Sequence, residues 1–154
     1  MDVPFSIALL KSYHAQNNVF RPMIAELGLS VGQPKILGFL ARHDGCMQKD
    51  LAAMCDIEPA TISRLLDKME ADGLISRRAV AGNKRATAIS LTPSGYARHE
   101  AATEMRGKME ALELSGFSEE EKALFYQTHP VVLAISLPGH YSKRHGIQMP
   151  DPDE

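Results

Sequence analysis

Residues 48–92 constrain the fold more than any other stretch, because they place two short amphipathic helices directly before a hairpin. The spacing of apolar side chains predicts one helix over 48–55 and a second over 59–72. Pro59 suits the first turn of a helix and Gly73 suits the residue after its end, so both limits of the second helix are marked. Two helices joined by so short a turn predict a helix-turn-helix.

A strand–turn–strand segment follows the two helices. Residues 74–80 and 86–92 alternate and carry β-branched side chains, which favours two strands. The segment Ala81-Gly82-Asn83-Lys84 between them is a turn signal. The order of helix, helix and hairpin predicts a wing attached to the helix-turn-helix.

Two further helices are predicted ahead of this segment. The apolar spacing over 4–27 fits one long amphipathic helix, which Pro22 should kink or split. A second helix is expected over 31–42 with Ser30 as its cap. The segment His43-Asp44-Gly45 should stop it, since glycine tolerates the left-handed backbone found after helix ends.

Two helices are also predicted after the hairpin, over 93–114 and 119–135. Ser118 and Glu121 form a capping box at the start of the second one. Pro130 should bend or end it.

The positive charge of the chain is concentrated in one segment. The whole chain has a net charge of −2, yet residues 59–92 carry six basic and three acidic side chains. Residues 74–92 hold four basic side chains and no acidic one. Because phosphate binding needs a local positive surface and not a basic whole, this distribution favours a nucleic-acid partner at the helix-turn-helix.

The remaining composition excludes several other classes of protein. The length of 154 residues suits one domain with its own core. The chain lacks a run of about 18 apolar residues, and its N-terminus lacks the features of a signal peptide, so we expect a cytoplasmic protein with no membrane partner. Ser94 lies in no nucleophile elbow and the run Glu119-Glu120-Glu121 is typical of a solvated helix start, so we assign no catalytic residue and expect no enzyme.

The cysteines and histidines form no metal-binding pattern. The spacing of the six histidines matches no known ligand motif, and we expect neither a metal nor a cofactor. Cys46 and Cys55 are expected to be reduced, partly buried thiols. A redox sensor would need an exposed thiol of low pKa beside a cation, and Cys46 near His43 gives only a slight indication of one.

The second helix of the pair offers side chains that can read DNA. Its N-terminal residues would lie in the major groove, where Thr61 and Ser63 can bond base edges and Arg64 can pair with guanine. The incoming strand of the hairpin should bring at least one arginine to a phosphate, and an arginine past the turn can enter the minor groove. The predicted DNA-binding residues are Pro59, Ala60, Thr61, Ser63, Arg64, Lys68, Arg77, Arg78, Lys84 and Arg85.

Five segments together resemble a known family. They are Leu29–Gln33, similar to its LTxxQ; Gln48–Ala52, similar to TQxELA; Ala60–Ile75, similar to STVTRLVDRLEKKGLV; Asn83–Gly95, similar to DxRAxxVxLTxxG; and Phe117–Glu121, similar to LSEEE. In this combination the chain resembles the MarR family of winged-helix regulators across residues 5–135. The family's wing aspartate is Asn83 here, so a salt bridge that would orient Arg85 becomes at best a neutral hydrogen bond.

This resemblance implies a mainly α fold with a small β-wing (α+β), in which dimerisation helices flank a winged helix-turn-helix. The domains would be a DNA-binding domain over 30–92, a helical dimerisation region over 1–29 and 93–137, and an irregular tail over 138–154. The function implied is that of a homodimeric repressor of transcription on a pseudo-palindromic operator of double-stranded DNA. Apolar side chains of the first and last helices that favour a dimer independently are Phe5, Leu9, Tyr13, Leu124, Phe125, Val131, Val132 and Ile135. The alternative is that these helices only cover their own core.

The family also implies an effector, usually a small aromatic or phenolic anion, bound between the dimer helices and the winged domain. Tyr13, His14, Phe39 and Arg42 are the candidate ligand residues. The alternative is that these four are core and surface residues without a ligand. A second function also stays open, that of a winged protein-interaction module that has lost DNA binding, favoured by Asn83 and the acidic C-terminal portion.

Overall fold

The computed structural model describes the backbone of residues 3–80 and 83–136, and the side chains of 3–80 and 87–128. Within these ranges the chain forms six helices and a three-stranded antiparallel sheet, which confirms the predicted mainly α class with a small β-wing. The elements are α1 (Phe5–Glu26), α2 (Gln33–Leu40), β1 (Cys46–Met47), α3 (Gln48–Cys55), α4 (Pro59–Ala71), β2 (Ile75–Val80), β3 (Asn83–Leu91), α5 (Pro93–Glu113) and α6 (Glu119–Ser136). The predicted irregular tail over 138–154 and the turn residues Ala81 and Gly82 lie outside the described residues.

The helix pair α3–α4 forms at the predicted positions. Asp56 ends α3 in the left-handed conformation, with φ 52° and ψ 49°, and Glu58 precedes Pro59 at the start of α4. Gly73 ends α4 with φ 70°, and the N–H of Leu74 donates to the carbonyl of Met69 at 2.8 Å. This 6→1 bond satisfies a helix-end carbonyl, so the chain leaves α4 at a fixed angle into β2.

The buried face of α4 holds the two helices in the core. Ile62, Leu66 and Met69 are each fully buried, at the three- and four-residue spacing of one helix face. They belong to the same apolar cluster as Leu51 of α3 and Leu37 of α2. Burying each such side chain contributes about 1.5–3 kcal/mol to the stability of the fold. This face of α4 therefore stays in the core, and only the opposite face is left for a binding partner.

The sheet has the strand order β1–β3–β2. The pairing of Ile75 with Leu91 sets the register of the hairpin, and both side chains are buried. An irregularity between Ala79 and Val80 shifts the register towards the tip. The sequence predicted β2 and β3 but not β1, which pairs Cys46 with Ile89 and so anchors the start of α3 to the wing.

The start of α2 differs from the prediction. The helix spans Gln33–Leu40 and not 31–42, and its N-cap is Gly32 with φ 94°. Ser30 is not the cap, since the helix begins after Gly32 and no side chain caps it. The N–H of Ser30 donates to the side-chain oxygen of the fully buried Gln33 at 2.8 Å. The helix also ends before the expected stop at His43-Asp44-Gly45, although Gly45 does adopt a positive φ of 71°.

Two prolines lie inside helices that continue past them. α1 runs from Phe5 to Glu26 through Pro22, so the proline does not split the helix, and the alternative of a kink stays a prediction. α6 runs to Ser136, so Pro130 does not end it. The predicted capping box of α6 is confirmed, since the backbone N–H of Ser118 donates to Glu121 and the N–H of Glu121 donates to Ser118 Oγ.

The contacts divide the chain into two compact units. The first covers Met1–Met109 and holds the helix pair, the sheet and the core. The second covers Glu110–Glu154, and in it the Tyr126 hydroxyl donates to Glu110. No helix in the described ranges has both the length and the apolar character needed to cross a membrane.

Candidate DNA-binding surface

The exposed face of α4 begins with small side chains. Pro59, Ala60 and Thr61 are exposed, and Ser63 is half-buried on the following turn. The carbonyl of Glu58 accepts the N–H groups of Thr61 and Ile62, both at 2.9 Å, and Glu58 adds no side-chain cap. The sugar–phosphate backbone or a base edge of DNA could therefore approach the start of this helix closely.

The two cations of α4 differ in how they are held. Arg64 is exposed, and its Nε donates over one turn to the carbonyl of Ala60 at 3.4 Å, which is at the weak end of hydrogen-bond geometry. Lys68 forms an ion pair with Asp72, with 3.0 Å between Nζ and Oδ2. Such an exposed pair is worth about 0.3–0.5 kcal/mol, so a phosphate could displace Asp72 at little cost.

The two arginines of β2 point to opposite faces, as alternation along a strand requires. Arg77 is paired with both Asp67 and Glu70 of α4, with 2.8 Å from its Nη1 to an oxygen of each. Its side chain is 23% exposed. Arg78 is exposed, opposite Ala88 in the register of the hairpin.

The tip of the wing is described by its backbone. Asn83, Lys84 and Arg85 lie at the start of β3, where Asn83 pairs with Val80. Their side chains lie outside the described ones, so the expected loss of the Asn83–Arg85 salt bridge stays a prediction.

Three of the four candidate ligand residues lie on helices α1 and α2, and Arg42 lies in the turn that follows α2. Tyr13 and His14 are exposed on α1, with their ring centroids 5.8 Å apart. Phe39 is half-buried on α2 and stacks on His43 at 4.5 Å, while Arg42 donates from Nε to the carbonyl of Gly38. None of the four lines the cleft of ≈ 440 Å³ that the structure places between α3 and α4, which is lined by Gln48, Lys49, Ala52, Ala53, Ile57, Pro59 and Ile62.

Both cysteines are poor nucleophiles at neutral pH. Burial raises the pKa of the Cys46 thiol, and the Asp50 carboxylate raises it further. Burial also raises the pKa of Cys55, which outweighs the lowering effect of Lys35. These environments disfavour the thiolate that a peroxide sensor requires.

The ion pairs of Arg77 were not anticipated from the sequence. Asp67 and Glu70 lie one helical turn apart, so they share a stripe of α4, and Arg77 lies on the strand that follows. That spacing could have suggested a shared cationic partner. The choice of Arg77 over Arg78 depends on which strand face turns towards α4, and only the fold decides this.

The chain is similar to known regulators in sequence and in structure. The model of the MarR family matches residues 27–86. A transcriptional repressor of Bacillus subtilis, YetL, is 35% identical over 111 residues, which cover 71% of this chain and 66% of that protein. The homoprotocatechuate degradative operon repressor of Escherichia coli is 33% identical over 97 residues, 63% of this chain and 66% of that repressor.

The matched part is thus just under two thirds of each relative's length. Among solved structures, a complex of MepR from Staphylococcus aureus with DNA aligns with a TM-score of 0.79 and 28% identity, over 88% of this chain and 100% of MepR. The reduced form of MarR from Escherichia coli, at 17% identity and a TM-score of 0.72, shows the fold alone.

Proposed function

The chain belongs to the MarR family of transcription regulators, and from this premise we propose that it is a sequence-specific repressor that binds double-stranded DNA as a homodimer. The observation that carries the proposal is the exposed start of α4, with short side chains and Arg64, beside a basic hairpin in the first unit. In a winged helix-turn-helix this helix lies in the major groove.

The proposed contacts follow from the position of each residue. Pro59, Ala60 and Thr61 let the helix approach the bases, Ser63 and Arg64 bond base edges, and Lys68 meets the backbone. On the hairpin, Arg78 meets a phosphate, and Lys84 and Arg85 reach the minor groove.

The regulation proposed is a population shift. A small aromatic or phenolic anion that prefers one spacing of the two DNA-binding domains would lower operator affinity by its preference for that state, typically by about 1–3 kcal/mol. Phe39 and Arg42, both near one end of α2, offer a ring and a cation for such a ligand. This regulator would act in the cytoplasm.

The test begins with selection of duplexes from a random DNA library by the purified wild-type protein, followed by gel shifts on the enriched sequence. Arg64→Ala should weaken binding by about 1–3 kcal/mol and relax one base position, because it loses a base contact. Arg106→Ala is the matched control, since Arg106 is an exposed arginine of α5 outside the helix-turn-helix and the wing.

The same assay separates this function from a protein-interaction module. Phosphate contacts release counterions, so the affinity of a DNA-binding protein falls steeply with salt. A wild-type protein that enriches no sequence and shows no salt-dependent binding to any duplex would refute the proposed function.

A further inference from the structure

The acidic side chains of α4 pose a problem for a DNA-binding helix. Residues 59–72 contain two basic and three acidic side chains, a net charge of −1. Lys68 pairs with Asp72, which leaves Asp67 and Glu70 without a partner from their own helix in the described contacts. Both are exposed, at 63% and 42%, on the surface beside the groove-facing residues.

Helical spacing places these carboxylates next to a proposed base contact. Ser63, Asp67 and Glu70 follow each other at steps of four and three residues, so they form one stripe along α4. An unpaired carboxylate on this stripe would extend towards the phosphates that flank the groove. Like charges in such proximity oppose binding.

Arg77 lies where it can prevent this. Its guanidinium reaches back from β2 and holds both carboxylates, each 2.8 Å from Nη1. Its backbone is fixed by pairing with Ile89, whose side chain is buried in the core. A cation anchored in this way keeps its position better than one on a flexible loop.

We infer that Arg77 is a positioning residue for DNA binding, which holds Asp67 and Glu70 against β2 and away from the DNA instead of contacting a phosphate itself. This inference rests on the proposed function. It gives the two arginines of β2 different tasks, since Arg78 on the opposite strand face remains for the phosphate contact.

A double-mutant cycle tests the inference on the duplex enriched by the wild-type protein. The exchange Asp67→Asn/Glu70→Gln is made in the wild type, in Arg77→Gln and in the matched control Arg78→Gln, and affinity is measured by fluorescence anisotropy. Arg77→Gln alone should weaken binding by about tenfold, because two carboxylates are released beside the DNA. Arg77→Lys, which keeps the charge, should retain most of the affinity.

The inference predicts that the effect of the carboxylate exchange on DNA affinity depends on whether Arg77 is present. The carboxylate exchange should restore most of the affinity lost in Arg77→Gln, but should change the wild type and Arg78→Gln by less than about threefold, since their carboxylates are already held. An equal gain in all three backgrounds would show that Arg77 acts independently of the carboxylates and would overturn the inference while leaving the proposed function intact. Circular dichroism of each variant verifies the fold, and a wild-type protein that binds no duplex overturns the proposed function and this inference with it.

Discussion

Gly95 determines how closely α5 approaches the end of α4. A Cβ atom at this position would lie 2.0 Å from the carbonyl oxygen of Leu74 and 3.2 Å from Leu91 Cδ2. Thr92 fixes the same corner, because its hydroxyl donates to the carbonyl of Gly73 at 2.6 Å and accepts the N–H of Gly95 at 3.0 Å. The junction between α4, the sheet and α5 therefore depends on the absence of a side chain.

Replacing Gly95 by alanine should destabilise the protein by about 3 kcal/mol or more, because backbone atoms must move to admit the methyl group. The measurement is urea unfolding followed by circular dichroism. Gly107→Ala is the matched control in the same helix, since a Cβ there meets nothing within 4 Å. It should stabilise by about 0.5–1 kcal/mol through helix propensity, and a loss of stability at both positions would show that close approach at Gly95 is not the cause.

The cysteines permit a prediction about pH. The pKa of each thiol is raised, chiefly by burial, so the folded protein ionises at higher pH than the unfolded chain. Iodoacetamide should therefore modify Cys46 and Cys55 more slowly in the folded protein than in the urea-unfolded chain at neutral pH. Stability should fall only as the pH rises through and above the ordinary thiol range, because there the unfolded chain loses its protons first.

Mass spectrometry after alkylation measures the first effect, and urea unfolding at a series of pH values measures the second. Modification of folded Cys46 at neutral pH as fast as in the unfolded chain would contradict the shift and would favour a redox sensor at this position.

At the scale of elements, the sequence predicted best where both ends of an element are chemically marked. The limits of α4 are marked by Pro59 and Gly73, and this helix forms within one residue of the expected bounds. Proline was less informative, since only four residues of α1 follow Pro22 and the helix loses little by continuing past it. β1 could not be predicted, because a two-residue strand has no periodicity and exists only by pairing with β3.

The candidate DNA-binding surface also has one part that the sequence predicts and one part that it does not. The exposed face of α4 follows from helical periodicity, which fixes the buried side chains and hence the remaining surface. The pairing of Arg77 with Asp67 joins residues ten apart in sequence through the angle between a strand and a helix. Local patterns carry no information on such an angle, so the sequence could place Arg77 on the hairpin but not assign its partner.

The turn between α3 and α4 carries a strain that a substitution can relieve. Asp56 adopts a left-handed conformation, with φ 52°, which costs an ordinary residue about 1–2 kcal/mol. Asp56→Gly should therefore stabilise the protein by about 0.5–1 kcal/mol after the entropy of glycine in the unfolded chain is subtracted. Thermal unfolding measures the change.

Asp72→Gly serves as its control. Asp72 also ends a helix, but with φ −77°, and it pairs with Lys68. The same substitution should destabilise here by about 1 kcal/mol, since no strain is relieved and an ion pair is lost. A gain of stability at both positions would refute the explanation by backbone strain.

At the scale of the whole molecule, α1 is notable because most of its residues are exposed. Only Ile24 of its 22 residues is fully buried. Phe5, Leu9 and Tyr13 follow each other at four-residue steps and are 65%, 48% and 58% exposed. A row of large apolar side chains on one helix face marks an interaction surface, and a second copy of the chain is the occupant that the proposed homodimer requires.

Leu9→Glu tests this assignment, because a charge buried in a dimer interface is costly while the same charge on an exposed helix is not. Light scattering coupled to gel filtration should show a dimer for the wild type and a monomer for Leu9→Glu, with the circular dichroism unchanged. Val31→Glu is the matched control, since Val31 is similarly exposed, at 52%, but lies outside α1.

The monomer should bind the selected duplex at least about tenfold more weakly, because it loses the effective concentration of the second half-site. A wild-type protein that remains monomeric at micromolar concentration, or a Leu9→Glu variant that remains dimeric, would contradict the role of this helix face and require the operator to be read by a single winged domain.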